Sequence, residues 1–576
     1  MKNPLDSNPN KSSLKRKILL CSLAISLFSL SFVDDLFQVS KNLDIFASVY
    51  KNLSINYVDN VNSSEMMKTG IDAMLEDLDP YTEYIPESDI EDYKLKYVST
   101  QYGGIGATIS NRDGKVIVAE PYEGFPAQKA DVRAGDEILE INGVSLKGKA
   151  NEQVSSMLKG SKGTPVKLLI LRSANAKQTE VNLQREEIRQ DNVPYYGMLE
   201  GSIGYIKLDK FLENSGQEVK NALVDLKKNN LKGLVLDLRY NGGGILQEAV
   251  KIVNLFVEKG VTVVIQKGRN REKSITYNTF NNPEEPTLPL VVLVNNRAAS
   301  ASEIVAGSLQ DLDRAVVIGQ RSFGKGLVQQ TFNLPYNSLV KVTVAKYYTP
   351  SGRCIQALDY THRDSEGSVV KVADSLITEY KTKAGRSVYD GSGIFPDVFV
   401  KPVKYNPITQ TLASKFHIFD YATLYRNEHA SIPDAKTFKL TEAEYAKFVA
   451  YLSNRDISYN TRTERILNDL REEAEKESKM AEIKAEYDAL RSKVSYSKKN
   501  DLVQFKDEIR KVLEAEIVSR YFFERGRLEQ GFKYDADINE SLKVISNKAV
   551  LASILNGEGN YKTIGKPGAD FSAKAH

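Results

Sequence analysis

Two short apolar runs, residues 231–238 and 290–294, constrain the fold of this chain more than any other feature. Both are nearly unbroken, as a strand is when both of its faces are covered. Each then turns a corner into a helical pattern. The first passes through Asp237-Leu238-Arg239-Tyr240-Asn241-Gly242-Gly243-Gly244 into a helix ending near Val257. The second passes through Asn295-Asn296-Arg297-Ala298-Ala299-Ser300 into a helix ending near residue 311. With a further strand at 204–208 and a helix near 215–228, the repeated order of strand, loop and helix predicts an α/β layer. In such a layer the loops gather at the carboxyl ends of the strands, where ligands bind.

Ser300 stands at the second strand-to-helix corner. Free backbone N–H groups and the positive end of the helix dipole make that corner suited to an oxyanion. Two readings compete, because Ser300-Ala301-Ser302-Glu303 also fits a capping box with serine as N-cap and glutamate three residues on. Ser302 is a rival nucleophile, but it falls inside the first helical turn and is less well aimed. The nucleophile reading of Ser300 is favoured by the stretch Ser322-Phe323-Gly324-Lys325-Gly326-Leu327-Val328-Gln329-Gln330. A lysine whose charge is disfavoured by burial can act as base for a serine hydroxyl, and flanking glycines let it sit close. If residues 325–330 form a strand, Lys325, Leu327 and Gln329 share one face, and Gln329 can orient the lysine nitrogen. The triplet Gly242-Gly243-Gly244 either brings backbone N–H groups close to a substrate or simply makes a tight turn. Gly319 to Lys325 imitates a phosphate-binding loop, but Gly326 replaces the Ser or Thr that would ligate magnesium, and no helix follows.

The remaining chain divides by texture. At 576 residues it calls for several domains. Its 78 Lys and Arg against 75 Asp and Glu give no support for a nucleic-acid partner. Cys21 and Cys354 are too few for a disulfide framework or a thiolate metal site, and the four histidines are too scattered to seed a zinc site, so no metal or cofactor is expected. His362, the one histidine near the core segment, reads as a solvated loop residue. Residues 1–35 place Lys11, Lys15, Arg16 and Lys17 before the apolar run Ile18 to Val33, the pattern of a signal peptide or short membrane anchor. Residues 36–96 repeat apolar positions at helical spacing, for example Leu43, Phe46, Val49, Tyr50 and Leu53. Residues 97–187 turn to short strands and glycines. Residues 405–556 are helical and charged, and positions such as Leu470, Met480, Ile483, Tyr487, Leu490 and Val494 follow a three-four spacing. That pattern is a solvated surface helix or, as the sharper alternative, a dimerisation or adaptor-docking element. Residues 557–576 read as a disordered tail.

Residues 97–187 resemble a PDZ domain through Tyr102-Gly103-Gly104-Ile105-Gly106, Ala134-Gly135-Asp136-Glu137-Ile138-Leu139-Glu140-Ile141-Asn142-Gly143 and a helix beyond. Successive N–H groups at Gly103, Gly104, Ile105 and Gly106 could cradle a peptide's terminal carboxylate while a strand edge pairs with the peptide. In order, the PDZ-like segment, Leu238 to Gly244, Ser300-Ala301-Ser302-Glu303, Phe323-Gly324-Lys325-Gly326 and Tyr348-Thr349-Pro350-Ser351-Gly352-Arg353 make residues 36 to about 400 similar to a C-terminal processing, or tail-specific, peptidase. The resemblance implies an α+β multidomain chain: an N-terminal helical unit, the PDZ-like domain, an α/β serine-peptidase core over 188–404 with crotonase- or ClpP-like layers, and the helical C-terminal extension. The segment 357–392 stands as an insertion relative to the family's shorter members. The resemblance implies Ser300 as nucleophile, Lys325 as base, Gln329 as its orienting partner, and oxyanion donors at Ala301 and at Gly244 or Gly243. Asp311 matches an aspartate sometimes considered catalytic, but a full helix separates it from Ser300 and a structural role is expected. It also implies protein substrates bound by their C-terminal tails, a cell-envelope or periplasmic location and no cofactor. The alternative of another class is a non-catalytic PDZ-type scaffold, which a serine-directed acylating probe would leave unlabelled. A Ser-His-Asp enzyme is a third reading, and His362→Ala separates it: peptide cleavage is expected to persist in that variant, and its loss would favour the triad.

Overall fold

In the computed structural model, which describes residues 37–97, 101–173, 175–269, 274–363, 369–496 and 500–567, the central element is a six-stranded sheet. Its order is Tyr195–Met198, Ile203–Lys207, Gly233–Asp237, Leu290–Val294, Val316–Gly319 and Val398–Phe399, antiparallel in the first pair and parallel in the rest. Every residue of Gly233–Asp237, Leu290–Val294 and Val316–Gly319 is buried. The period of two explains this. Leu234, Leu236, Leu290, Val292 and Val317 join the core built with helices Ser215–Lys227, Leu246–Asn254 and Ala301–Asp311. Val235, Val291, Leu293, Val316 and Ile318 face the other way, where Ile538, Val544, Ile545, Leu551 and Ile554 of helices Ala536–Ser546 and Lys548–Leu555 cover them.

The last two helices of the expected C-terminal extension, 405–556, therefore pack as a layer on the α/β core. The approach is close enough that a β-carbon on Gly233 would lie 2.7 Å from Ile545 Cδ1. The earlier part of the helical region has its own core, with Ile408, Leu412, Tyr421, Phe448, Ile509, Leu513 and Ile517 among its buried members. The three-four seam proves to be two helices, Arg462–Lys476 and Met480–Tyr496, separated by Ser478 at φ 60°. Leu467, Ala474 and Tyr487 are buried there, whereas Leu470 and Leu490 are about half exposed at 46% and 48%.

A second sheet joins Thr262–Gly268, Ile275–Asn278, Leu327–Leu334 and Ser338–Tyr348. The insertion forms two small hairpins, Leu358–Arg363 with Val369–Lys371 and Glu379–Lys381 with Ser387–Tyr389, so His362 falls in a strand rather than a loop. Arg386 stitches the second hairpin to the core through Asp313 and Asp397, each at 2.6 Å. Within the tail expected to be disordered, the described residues 557–567 are ordered: Gly559–Lys562 form a 3₁₀ turn, and Ile564 N–H donates to Ser387 O at 2.8 Å; the rest of that expected tail lies outside the described residues. The expected signal or anchor lies outside the described residues.

Among residues 101–189, the strands Ala107–Arg112, Lys115–Pro121, Glu137–Ile141, Pro165–Leu171 and Gln178–Gln184 form an antiparallel sheet in that order, with Ala107–Arg112 at one edge. Helix Asn151–Leu158 packs beside that edge strand. Arg112 leaves the end of the strand to lie 3.7 Å from the Phe416 ring centre and 4.1 Å from that of Phe419, and pairs with Asp420 at 3.0 Å.

A separate unit combines the N-terminal segment through Pro86 with Thr331–Val342. It holds helices at 37–56 and Ser63–Glu76, the latter capped by Asn62. It also holds a strand, Glu83–Ile85, paired with Leu339–Lys341, which a purely helical reading misses because three residues carry no usable period.

If the C-terminal helices are a core layer, Ile538→Ala should destabilise the chain by about 2–5 kcal/mol in denaturant unfolding, the range for buried Ile to Ala. A change below about 0.5 kcal/mol, the size of an ordinary surface substitution, would contradict that placement.

Candidate active site at the Ser300 corner

Ser300 ends the Leu290–Val294 strand's turn and starts helix Ala301–Asp311 with φ 56° and ψ −114°. For a residue with a side chain this is strained, at a cost of about 1–3 kcal/mol, and it persists only where neighbours over-determine it. They do. Ala299 N–H donates to Asn241 O at 3.0 Å, and Ala298 N–H to Asn295 O at 2.9 Å. Ser300 O accepts from Glu303 N–H at 2.8 Å, Ile304 N–H at 2.9 Å and the Tyr347 hydroxyl at 3.1 Å.

The geometry bears on the cap side of the rivalry between cap and nucleophile. Glu303 reaches back to Ser300 N–H at 2.8 Å, so half of the capping box exists. The other half does not: the Ser300 hydroxyl makes no cap bond, and Glu303 N–H goes to the Ser300 carbonyl. Ser302 is fully buried and its hydroxyl donates to Asn241 O at 2.9 Å, which makes it a strap rather than a nucleophile.

Glu303 does more than cap. It is fully buried, and its Oε2 accepts from both Ser300 N–H and Lys325 N–H, the latter at 2.9 Å. Its Oε1 accepts from Gly324 N–H at 2.7 Å and the Ser322 hydroxyl at 2.5 Å. One carboxylate thus ties the backbone of Ser300 to the backbone of Lys325. Burial pushes the Glu303 carboxyl up from its ordinary value, against the opposing pull of these donors. The glycines beside Lys325 are needed for contact: a β-carbon on Gly324 would lie 2.4 Å from Ala357 Cβ, and one on Gly326 2.8 Å from Gln356 N.

The expected strand begins later than Lys325. It runs Leu327–Leu334, so the shared-face argument linking Lys325 to Gln329 does not apply, and Gln329 Nε2 donates to Thr343 Oγ1 at 3.0 Å. Lys325 and Gln329 are both half-buried.

The glycine triplet meets Ser300 directly. A β-carbon on Gly243, at φ 92°, would lie 2.7 Å from Ser300 Cβ and 2.8 Å from Ala301 N. Gly243 N–H, however, donates to Asn241 Oδ1 at 2.9 Å, which corrects its expected role as an oxyanion donor. Of the expected donors, Ala301 and Gly244 have N–H groups that make no hydrogen bond among the described residues. Asn241 and Asn295, which the sequence reading passed over, organise the corner: Asn295 Oδ1 accepts from Tyr240 N–H at 3.0 Å and Arg297 N–H at 3.1 Å. Their signal was present, since Asn beside Gly or another Asn after a strand marks a side-chain-closed turn. Asp311 is structural, as expected, holding Arg353 at 2.8 Å and Ser351 N–H at 3.0 Å.

At the PDZ-like loop, Gly103 and Gly104 lie in the strand Gln101–Gly104, paired with Glu186–Arg189, and Gly103 O accepts from Gly160 N–H at 3.0 Å. Only Ile105 and Gly106 form the turn into the edge strand, which narrows the expected carboxylate cradle to those two.

Comparison with known proteins agrees with the sequence resemblance. Residues 202–362 match peptidase family S41, residues 96–171 match the PDZ domain, and residues 408–545 match the probable PDZ-protease C-terminal helical domain. A probable CtpA-like serine protease of Staphylococcus aureus (strain MRSA252) is 38% identical over 316 residues, covering 54% of this chain and 62% of that protein. Its counterpart in Staphylococcus haemolyticus (strain JCSC1435) is 36% identical over 308 residues, covering 53% and 61%. The chain therefore spans somewhat under two thirds of these relatives' length. The solved photosystem II D1 C-terminal processing protease is 26% identical, with 62% of this chain and 92% of that chain covered and a TM-score of 0.34. A solved PDZ domain of a carboxy-terminal protease from Vibrio cholerae, in complex with peptide, is 32% identical over 16% of this chain and 99% of its own, with a TM-score of 0.15.

The tie between Ser300 and Lys325 needs the Glu303 carboxylate, which exists only above its raised pKa, so labelling of Ser300 by a serine-directed acylating reagent should fall away as pH drops through a value above the ordinary glutamate range. Folding stability runs the other way: the unfolded chain releases this proton first, so ionising Glu303 costs stability as pH rises through the same window. Glu303→Gln should remove that acid limb and slow inactivation by a serine-directed acylating reagent about 100-fold, the scale of a misplaced reacting group. An unchanged rate in the variant would contradict the tie.

Proposed function

We propose that this chain, whose segment 202–362 matches peptidase family S41, is a serine endopeptidase that works by a Ser300–Lys325 dyad. The observation that carries this reading is the Glu303 carboxylate, which joins the two residues' backbones while the Ser300 hydroxyl is left off the helix cap. Neutral Lys325 takes the proton from Ser300 Oγ as that oxygen attacks the scissile carbonyl carbon. The carbonyl oxygen becomes an oxyanion beside the N–H groups of Ala301 and Gly244, at the positive end of helix Ala301–Asp311. Collapse breaks the peptide C–N bond, and the leaving amine takes the proton from the lysine. Water, deprotonated in turn by Lys325, then releases the acyl group and restores the hydroxyl. Gln329 is read as the residue that orients the lysine nitrogen.

The PDZ match and the free edge of strand Ala107–Arg112 support recognition of a substrate's C-terminal tail by strand addition. The tail's carboxylate would meet the turn at Ile105 and Gly106. The basic residues and apolar run of residues 11–33 support export, as a cleaved signal or a retained anchor, so cell fractionation should place the chain in the envelope; a cytoplasmic pool alone would contradict this.

Ser300→Ala and Lys325→Ala should each reduce cleavage of an unstructured, tailed protein by at least about 1,000-fold, while circular dichroism and tail binding stay as in the wild type. Full activity in either variant sinks the dyad.

A further inference from the structure

The turn that carries the glycine triplet starts at Arg239, and what holds Arg239 comes from two distant parts of the chain. Asp237, on the end of its strand, accepts from Nε at 3.0 Å and from Nη2 at 2.6 Å. Asp535 accepts from Nη1 at 3.0 Å and pairs with Nη2 at 2.8 Å, and Asp537 accepts from Nη1 at 2.8 Å. Nε, Nη1 and Nη2 are thereby all hydrogen-bonded to carboxylates, in a planar fork that cannot turn without breaking bonds. Asp535 is itself fixed as the N-cap of helix Ala536–Ser546, accepting from the N–H groups of Asp537 and Ile538. Asp537 also accepts from Gln320 Nε2 at 3.3 Å. On the core side, Tyr205 donates to Asp237 at 2.7 Å, and Lys207 Nζ donates to the Arg239 carbonyl at 2.7 Å.

Such an anchor has a reason to exist. The next residue, Tyr240, holds φ 65° and is 68% exposed, a strained backbone for an aromatic residue. Three residues further on, Gly243 lies against Ser300 and Ala301. A strained turn keeps its place only if both ends are held. The Asn241 side chain holds the end near Gly243, and the arginine fork holds the start.

We propose that Asp535 and Asp537 are positioning residues for the reaction at Ser300: by immobilising Arg239 they set the Tyr240–Gly244 turn that presents the Gly244 N–H. The inference rests on the peptidase reading above. It gives the C-terminal helices a part in the chemistry through Arg239, not only a part in covering the sheet.

The test uses the full chain carrying Asp535→Asn and Asp537→Asn together, with Ile545→Val as a control on the same helix that loosens packing against Gly233 without touching Arg239. Peptide cleavage is resolved into kcat and KM, thermal unfolding is recorded, and hydrogen exchange is followed at the amides of Tyr240 and Gly243. The double variant is expected to lose at least tenfold in kcat with KM within twofold, and to exchange those two amides at least tenfold faster than the wild type. The control is expected to change neither. Unchanged kcat in the double variant, or an equal kcat loss in the control at a matching drop in Tm, overturns the proposal. Should the double variant not fold, Asp537→Asn alone carries the same comparison. If the wild type cleaves nothing, the peptidase reading fails, and exchange still decides the arginine anchor: faster exchange at Tyr240 and Gly243 in the double variant supports it, and unchanged exchange overturns it.

Discussion

The Ser300 corner depends on a buried carboxylate. An unpaired charge in the protein interior is expensive, and Glu303 is fully enclosed with no cation beside it among its hydrogen-bond partners. Its charge is instead spread over donors from Ser300, Ser322, Gly324 and Lys325. Three of those donors are backbone N–H groups, which cannot swing away as a lysine side chain could. The strained φ of Ser300 and the irregular chain from Ser322 to Gly326 are thus held by the same group. Their relative placement is a property of one hydrogen-bond network rather than of two loops that happen to meet.

Around that network the sheet supplies the rigidity. Strands Gly233–Asp237 and Leu290–Val294 are neighbours in parallel register, so the turns that follow them, at Arg239–Gly244 and Asn295–Ser300, emerge side by side. Asn241 and Asn295 then cross-link the two turns, through Ala299 N–H to Asn241 O and Tyr240 N–H to Asn295 Oδ1. Both strands are covered on both faces, one side by helices within the core segment and the other by helices Ala536–Ser546 and Lys548–Leu555. The segment that binds the arginine fork is therefore the same one that seals the sheet.

The sequence made legible whatever rests on local pattern. The unbroken apolar runs are the central strands, the corner after Val294 is a strand-to-helix turn, and the short strands expected in residues 97–187 form an antiparallel sheet. The structural role of Asp311 is also legible, as is the poorer aim of Ser302 inside the first helical turn. What it hid depends on long-range pairing or on the exact start of an element. Lys325 precedes its strand because its flanking glycines pack against the 356–357 backbone, and no propensity rule places that contact. Gly243 lost its expected role to the side chain of Asn241 two residues earlier. The charged character of residues 405–556 masked the apolar stripe of Ile538, Ile545 and Ile554, which packs on Val235, Val291, Leu293, Val316 and Ile318 of distant strands. Gly103 and Gly104 read as a loop because glycine usually does, yet they complete a short two-stranded ladder.

The proposed reaction makes Ser300 the nucleophile and passes through a covalent acyl-enzyme. Acid-quenching the wild-type chain with a peptide substrate, followed by mass-spectrometric mapping, tests this directly. The expected result is the amino-terminal fragment of the substrate esterified to Ser300 within the first turnover. An adduct on Ser302, or cleavage at full rate with no adduct at any quench time, would contradict it.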